Sequence, residues 1–145
     1  MLNKFKEMLE DIAKEGETMF ARFADKNDFE RVVFASYLIA IADGNFDSDE
    51  KTALARLIEK DFKQFKLTDI IEVLDDAKSK TDFDVTMGTS ELLGEIGKAK
   101  GDTAGLIVRT AAFIGASDGD FDADEKAMTV RIANALKLNP ADYGL

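Results

Sequence analysis

The nonapeptide DGNFDSDEK at residues 43–51 returns as DGDFDADEK at residues 118–126, 75 residues later, with seven of nine positions identical. The match extends outward from these two segments. At the same offset Val32 answers Ile107, Val33 answers Val108, Phe46 answers Phe121 and Arg56 answers Arg131. Each copy reads as an apolar helix, an acidic turn and an amphipathic helix. Two such units predict one all-α domain over residues 1–145, with internal repeats at approximately 28–61 and 103–138 related by a pseudo-twofold axis. Two units are too few for a solenoid, which needs at least three.

Composition agrees with a helical globule. The chain of 145 residues is 46% apolar and has a single Pro, so it carries enough apolar side chains for one core. Hydrophobic spacing predicts seven to eight helices. Leu2, Phe5, Leu9 and Ile12 mark the first, ended by Gly16, and a short one follows over Met19–Ala24. The third runs from near Asp28 through the apolar stretch 32–42 to Asp43, and its all-round hydrophobicity places it at the centre. Gly44 supplies a helix stop. Asp47 with Glu50, and Asp122 with Glu125, form D-x-x-E capping boxes, with Phe46 and Phe121 where a hydrophobic staple sits. Thr68 is expected to cap a helix bearing Ile70, Ile71, Val73 and Leu74, and Asp102 one that runs to Ser117. Between TDFD (81–84) and Lys100, the glycines Gly88, Gly94 and Gly97 argue against unbroken helix. Asn139-Pro140 begins a last turn. The GDTAG spacing at 101–105 reads as close helix packing or a cap.

Several functions are excluded by what the chain lacks. It has no Cys and no His, which removes disulfides, thiolate catalysis, His-based triads and most zinc sites. The net charge of −10 disfavours nucleic acid and anionic membranes and favours cations or basic protein surfaces. The N-terminal segment has no signal-peptide pattern, and the longest apolar run is far short of a membrane span. Residues 1–24 sum to a charge of −1, unlike a basic amphipathic anchor, so they are expected to dock on the domain. The expected location is cytoplasmic, with membrane association only through a partner and no direct membrane insertion.

The acidic turns carry the functional signal. Capping accounts for Asp47, Glu50, Asp122 and Glu125, and Asp49 and Asp124 complement the helix dipole. Asp43 and Asp118 remain. Each stands at a helix C-terminus, where a carboxylate costs ~0.3–1 kcal/mol, unless Lys51, Lys126 or a bound cation offsets it. An EF-hand fails in both registers. With Asp43 at loop position 5, Gly44, Phe46, Asp47 and Glu50 fall correctly at positions 6, 8, 9 and 12, but positions 1 and 3 are Ile39 and Ile41. In the second copy they are Ile114 and Ala116. With Asp43 at position 1, Ser48 takes the Gly position and Leu54 the bidentate Glu position. A different oxygen site for Ca²⁺ or Mg²⁺ remains open, drawing on Asp43, Asp47 and Glu50 in one turn and on Asp118, Asp120, Asp122 and Glu125 in the other. A carboxylate-only metal hydrolase would need a nucleophile and a substrate cleft, neither of which the sequence offers.

The segments TDFDVTMG (81–88), SDGDFDADEKAMTVRIANAL (117–136) and NPADYGL (139–145), with ADGNFDSDEK (42–51), resemble the TerB family of tellurite-resistance proteins. The resemblance covers nearly the whole chain and is weakest over the first thirty residues. It implies an all-helical domain with internal duplication and a role in tellurite resistance and wider stress responses, alongside a membrane-spanning Ter partner and other cytoplasmic Ter proteins. It also implies metal binding by acidic residues that fall on Asp43, Glu50, Asp118 and Glu125, with Asp47 and Asp122 beside them. Tellurite itself is an oxyanion whose reduction needs thiols or a redox cofactor. A Cys-free chain of charge −10 with no nucleotide-binding fingerprint and no organic cofactor motif is therefore expected to act indirectly, as a non-enzymatic binding or scaffold module.

Overall fold

The computed structural model describes residues 26–42, 44, 46–61, 65–116 and 121–145, with isolated positions 7 and 10. Among them are six α-helices, a terminal 3₁₀ turn and no strand, forming one compact all-helical domain. The helices are α1 (Lys26–Ala40), α2 (Ser48–Asp61), α3 (Leu67–Phe83), α4 (Val85–Ile96), α5 (Asp102–Ala116) and α6 (Ala123–Ala135), followed by the 3₁₀ turn Pro140–Tyr143. Of the expected first helix only Glu7 and Glu10 are described, both helical and exposed. The remainder of that helix, and the one expected at Met19–Ala24, lie outside the described residues.

α1 occupies the centre, as its apolar run requires. Residues 32–39 are all buried, and the helix packs against α3, α4, α5 and α6. Its most extensive neighbour is α5, whose Leu106, Ile107, Val108, Ala111, Ala112 and Ile114 are also buried. Gly115 lets the two helices close: a Cβ there would stand 2.6 Å from Ile39 Cγ2. Arg31 fastens α1 to α4, with Nε donating to Glu95 O at 3.1 Å and Nη1 to Asp28 Oδ1 at 2.8 Å. The guanidinium thus meets a carbonyl in the last turn of α4 that also accepts from Lys98 N at 3.2 Å.

Local capping differs from expectation at two helices. α3 opens one residue ahead of Thr68, and Lys66 takes the N-cap position with no side-chain cap bond. Asp102 is the first helical residue of α5, not its cap, and follows Gly101 at φ +64°. The region after TDFD is also more regular than its glycines predict. Asp84, in extended conformation, ends α3 by donating its N–H to Lys80 O and caps α4 by accepting from Met87 N at 2.8 Å. α4 then runs unbroken. Its Gly88 is buried against the last turn of α3, where a Cβ would lie 2.5 Å from Lys80 O. Gly105, the second glycine of GDTAG, likewise makes room for a neighbour: the Tyr143 hydroxyl lies 2.9 Å from where its Cβ would be. Asn139 caps the final turn by accepting from Ala141 N at 3.1 Å.

Candidate functional site

The first acidic turn begins where α1 tightens and stops. Ala42 N donates to Ile39 O and Gly44 N to Ile41 O, and Gly44 adopts φ +92°, a conformation glycine reaches without strain. Phe46 then turns back to the core and meets the Tyr37 ring edge-on, with centroids 5.1 Å apart at 88°. This replaces the expected staple. The residue four places into α2 is Lys51, which offers no apolar partner, so the Phe46 ring packs on α1 instead. Phe121 behaves similarly, its ring edge lying 3.8 Å from the Cβ position of Gly115 at the end of α5.

The expected caps are present. Asp47 Oδ1 accepts from Glu50 N at 2.8 Å, and Asp122 Oδ1 accepts from Glu125 N at the same distance. At α6 the box is complete, because Glu125 Oε1 also accepts from Asp122 N at 3.1 Å. Asp47 and Glu50 are exposed, whereas Asp122 and Glu125 are half-buried. Lys51 does not stay at its turn. Its Nζ reaches Asp75 Oδ1 on α3 at 2.7 Å and so ties α2 to α3.

These bonds limit what the four carboxylates can do for a cation. Asp47 and Asp122 each use one lone pair of Oδ1 on a backbone N–H, and the other carboxylate oxygen takes no part in that bond. The donor set is all oxygen, the set that hard divalent ions take. Among the described residues no group of three acidic side chains converges to hold a metal. Asp43, Asp118 and Asp120 lie outside the described residues, so only two of the candidate ligands of each turn, Asp47 with Glu50 and Asp122 with Glu125, are described.

Sequence reasoning missed a groove of about 450 Å³ between α1 and α3, lined by Phe29, Phe34, Phe65 and Val73 with acidic residues at its edge. Asp69, Glu72 and Asp76 recur along α3 at helical spacing. That stripe is the signal from which an acidic face could have been read.

Residues 30–145 match the family model described as tellurite resistance protein TerB, a span that includes both acidic turns. No curated protein and no solved structure was found to match the chain.

Proposed function

The chain belongs to the tellurite resistance protein TerB family, and from that membership we propose that it is a non-enzymatic, divalent-cation-binding interaction module of a tellurite-resistance or stress-response complex. It acts indirectly and not on tellurite. The cation is Ca²⁺ or Mg²⁺, held by Asp43, Asp47 and Glu50 in the first turn and by Asp118, Asp122 and Glu125 in the second. Its partners are other Ter proteins, including a membrane-spanning one, and it works in the cytoplasm. No helix among the described residues is long and apolar enough to cross a membrane; in this proposal membrane association runs through the partner.

The observation that carries this reading is the equivalence of the two turns. Asp47 with Glu50 and Asp122 with Glu125 make the same bond at the same 2.8 Å, and Val32, Val33, Ile107 and Val108 are all fully buried at matching positions. We read 28–61 and 103–138 as two copies of one unit. A sequence that writes an acidic turn twice, with Asp43 and Asp118 each following an apolar helical stretch, is accounted for by a positive charge at each turn.

Thermal unfolding after chelation, titrated with Ca²⁺ and separately with Mg²⁺, tests the proposal. Free ion at 100 times Kd adds about 2.7 kcal/mol, a rise of roughly 5–10 °C for a chain of this size. Asp118→Asn/Glu125→Gln should abolish the rise. A flat response to millimolar ion would contradict the cation claim.

The caps favour a second reading, in which the chain is a metal-free acidic scaffold that docks on basic partner surfaces. It predicts partner binding that weakens with salt and ignores chelators.

A further inference from the structure

The groove between α1 and α3 has an apolar floor and an anionic rim. Phe29 and Phe65 stack with centroids 3.8 Å apart, and Phe34 and Val73 complete the floor. Glu30, Asp69, Glu72 and Asp76 stand around it, and among the described lining residues Lys26 is the one cation. Elsewhere on α3 the acids are matched: Asp75 by Lys51 and Asp82 by Lys78. Among the described residues, Asp76 at the groove has only a long 3.5 Å contact to Lys80, and Glu30, Asp69 and Glu72 form no ion pair.

In the second half of the chain, the positions at the same sequence offset have a covering neighbour. At the 75-residue offset Glu30 corresponds to Gly105 and Phe34 to Arg109. There the aromatic ring of Tyr143 lies over Gly105, carried by the acidic segment PADY, and the Arg109 charge acts on the Tyr143 phenol. A helix surface bearing one Arg is thus met by a segment that supplies one aromatic ring and one carboxylate, Asp142. Around the α1–α3 groove the charges are mainly acidic.

We infer that the α1–α3 groove docks a basic segment of a partner protein, one that inserts an aromatic or long aliphatic side chain between Phe34, Phe65 and Val73 while its Lys or Arg residues meet Glu30, Asp69, Glu72 and Asp76. The floor supplies apolar contact and the rim selects sign. This inference rests on the interaction-module part of the proposed function and is independent of the cation. The groove lies along the first half of α1, whereas the first acidic turn follows its last residue.

The test is titration of the isotopically labelled full chain with two model amphipathic helical peptides. One has Leu and Phe with Lys, the other the same apolar residues with Glu. Each titration is run in chelator and again in Ca²⁺. The expected result is amide shifts confined to residues around Phe34, Phe65 and Val73, with the Lys peptide alone, at a Kd on the order of 10–100 µM. Glu72→Lys/Asp76→Lys should weaken binding roughly ten-fold, and the same charge change at Asp49→Lys/Asp124→Lys should leave it nearly unchanged. Equal loss from both double variants, shifts spread over the acidic surface, or no binding would overturn the inference. Binding in chelator but no ion-dependent stabilisation would keep the groove and remove the cation site. Binding only with Ca²⁺ would overturn the groove assignment.

Discussion

The Tyr37 hydroxyl stands 2.6 Å from Thr81 Oγ1 inside the core, and Phe46 meets the same phenol ring edge-on. One side chain of α1 thereby joins the end of α3 to the residue beside the Asp47 cap. The order of the first acidic turn is therefore coupled to core packing as well as to its own hydrogen bonds.

Tyr37→Phe should cost about 0.5–1.5 kcal/mol at neutral pH. The lower end is expected, because Thr81 Oγ1 retains a contact with Lys78 O at 3.2 Å. Burial, with a smaller effect from Asp82, raises the Tyr37 pKa above its ordinary 10.0. A raised folded-state pKa means that this contribution is intact below pH 10 and is lost as pH rises through the folded value. Urea unfolding at pH 7 and above pH 10 should show a shallower alkaline loss in the variant. Some slope should persist from Tyr143, which burial raises in the same direction.

Gly88 and Gly94 lie in the same helix and should respond oppositely to alanine. Gly94 faces open space, so Gly94→Ala should stabilise by roughly 0.5–1 kcal/mol through helix propensity. At Gly88 the added Cβ meets the Lys80 backbone at 2.5 Å, and backbone cannot rotate away. Gly88→Ala should therefore be destabilising by about 1–3 kcal/mol despite the propensity gain. Chemical denaturation midpoints check both.

Capping and cation binding at Asp122 separate by choice of substitution. Asn caps a helix about as well as Asp, whereas Ala forfeits roughly 1 kcal/mol. Asp122→Asn should unfold in chelator within a few tenths of a kcal/mol of the wild type yet show a weakened response to Ca²⁺. Asp122→Ala should be less stable in both conditions. Asp47→Ala should cost less than Asp122→Ala, since the complete capping box is found at α6.

The Glu95–Lys98 pair gives a small acidic signature. The Lys98 ammonium, 2.7 Å away, holds the Glu95 carboxyl below its ordinary 4.5. The pair's contribution is thus present above pH 4.5 and fades as pH falls through the lower folded value. Both side chains are largely exposed, so Lys98→Ala should cost less than ~0.5 kcal/mol at pH 7 and nothing near pH 2.

Features determined by near neighbours along the chain are legible in the sequence. The caps of Asp47 and Asp122 join residues three apart, and the buried role of α1 follows from an uninterrupted apolar run. Thr68 and Asp102 fall one or two residues away from the caps expected of them, because a helix can begin without a side-chain cap, as α3 does at Lys66. Gly88 misleads for a different reason. Its cost in helix propensity is local, whereas its benefit, contact with the Lys80 carbonyl, exists only once α3 and α4 have met. The groove has the same character: the stripe of Asp69, Glu72 and Asp76 is visible in sequence, but the aromatic floor forms only when Phe29 and Phe34 of α1 meet Phe65.

A cation at the repeated acidic turns can be located on the intact chain with a paramagnetic ion. Mn²⁺ added at substoichiometric amounts broadens amide resonances near wherever it binds. Broadening should be confined to residues 43–50 and 118–125, reversed by excess Ca²⁺ and absent in Asp118→Asn/Glu125→Gln. Diffuse broadening along α3 and the rest of the acidic surface, unchanged in that variant, would contradict a cation site at the turns.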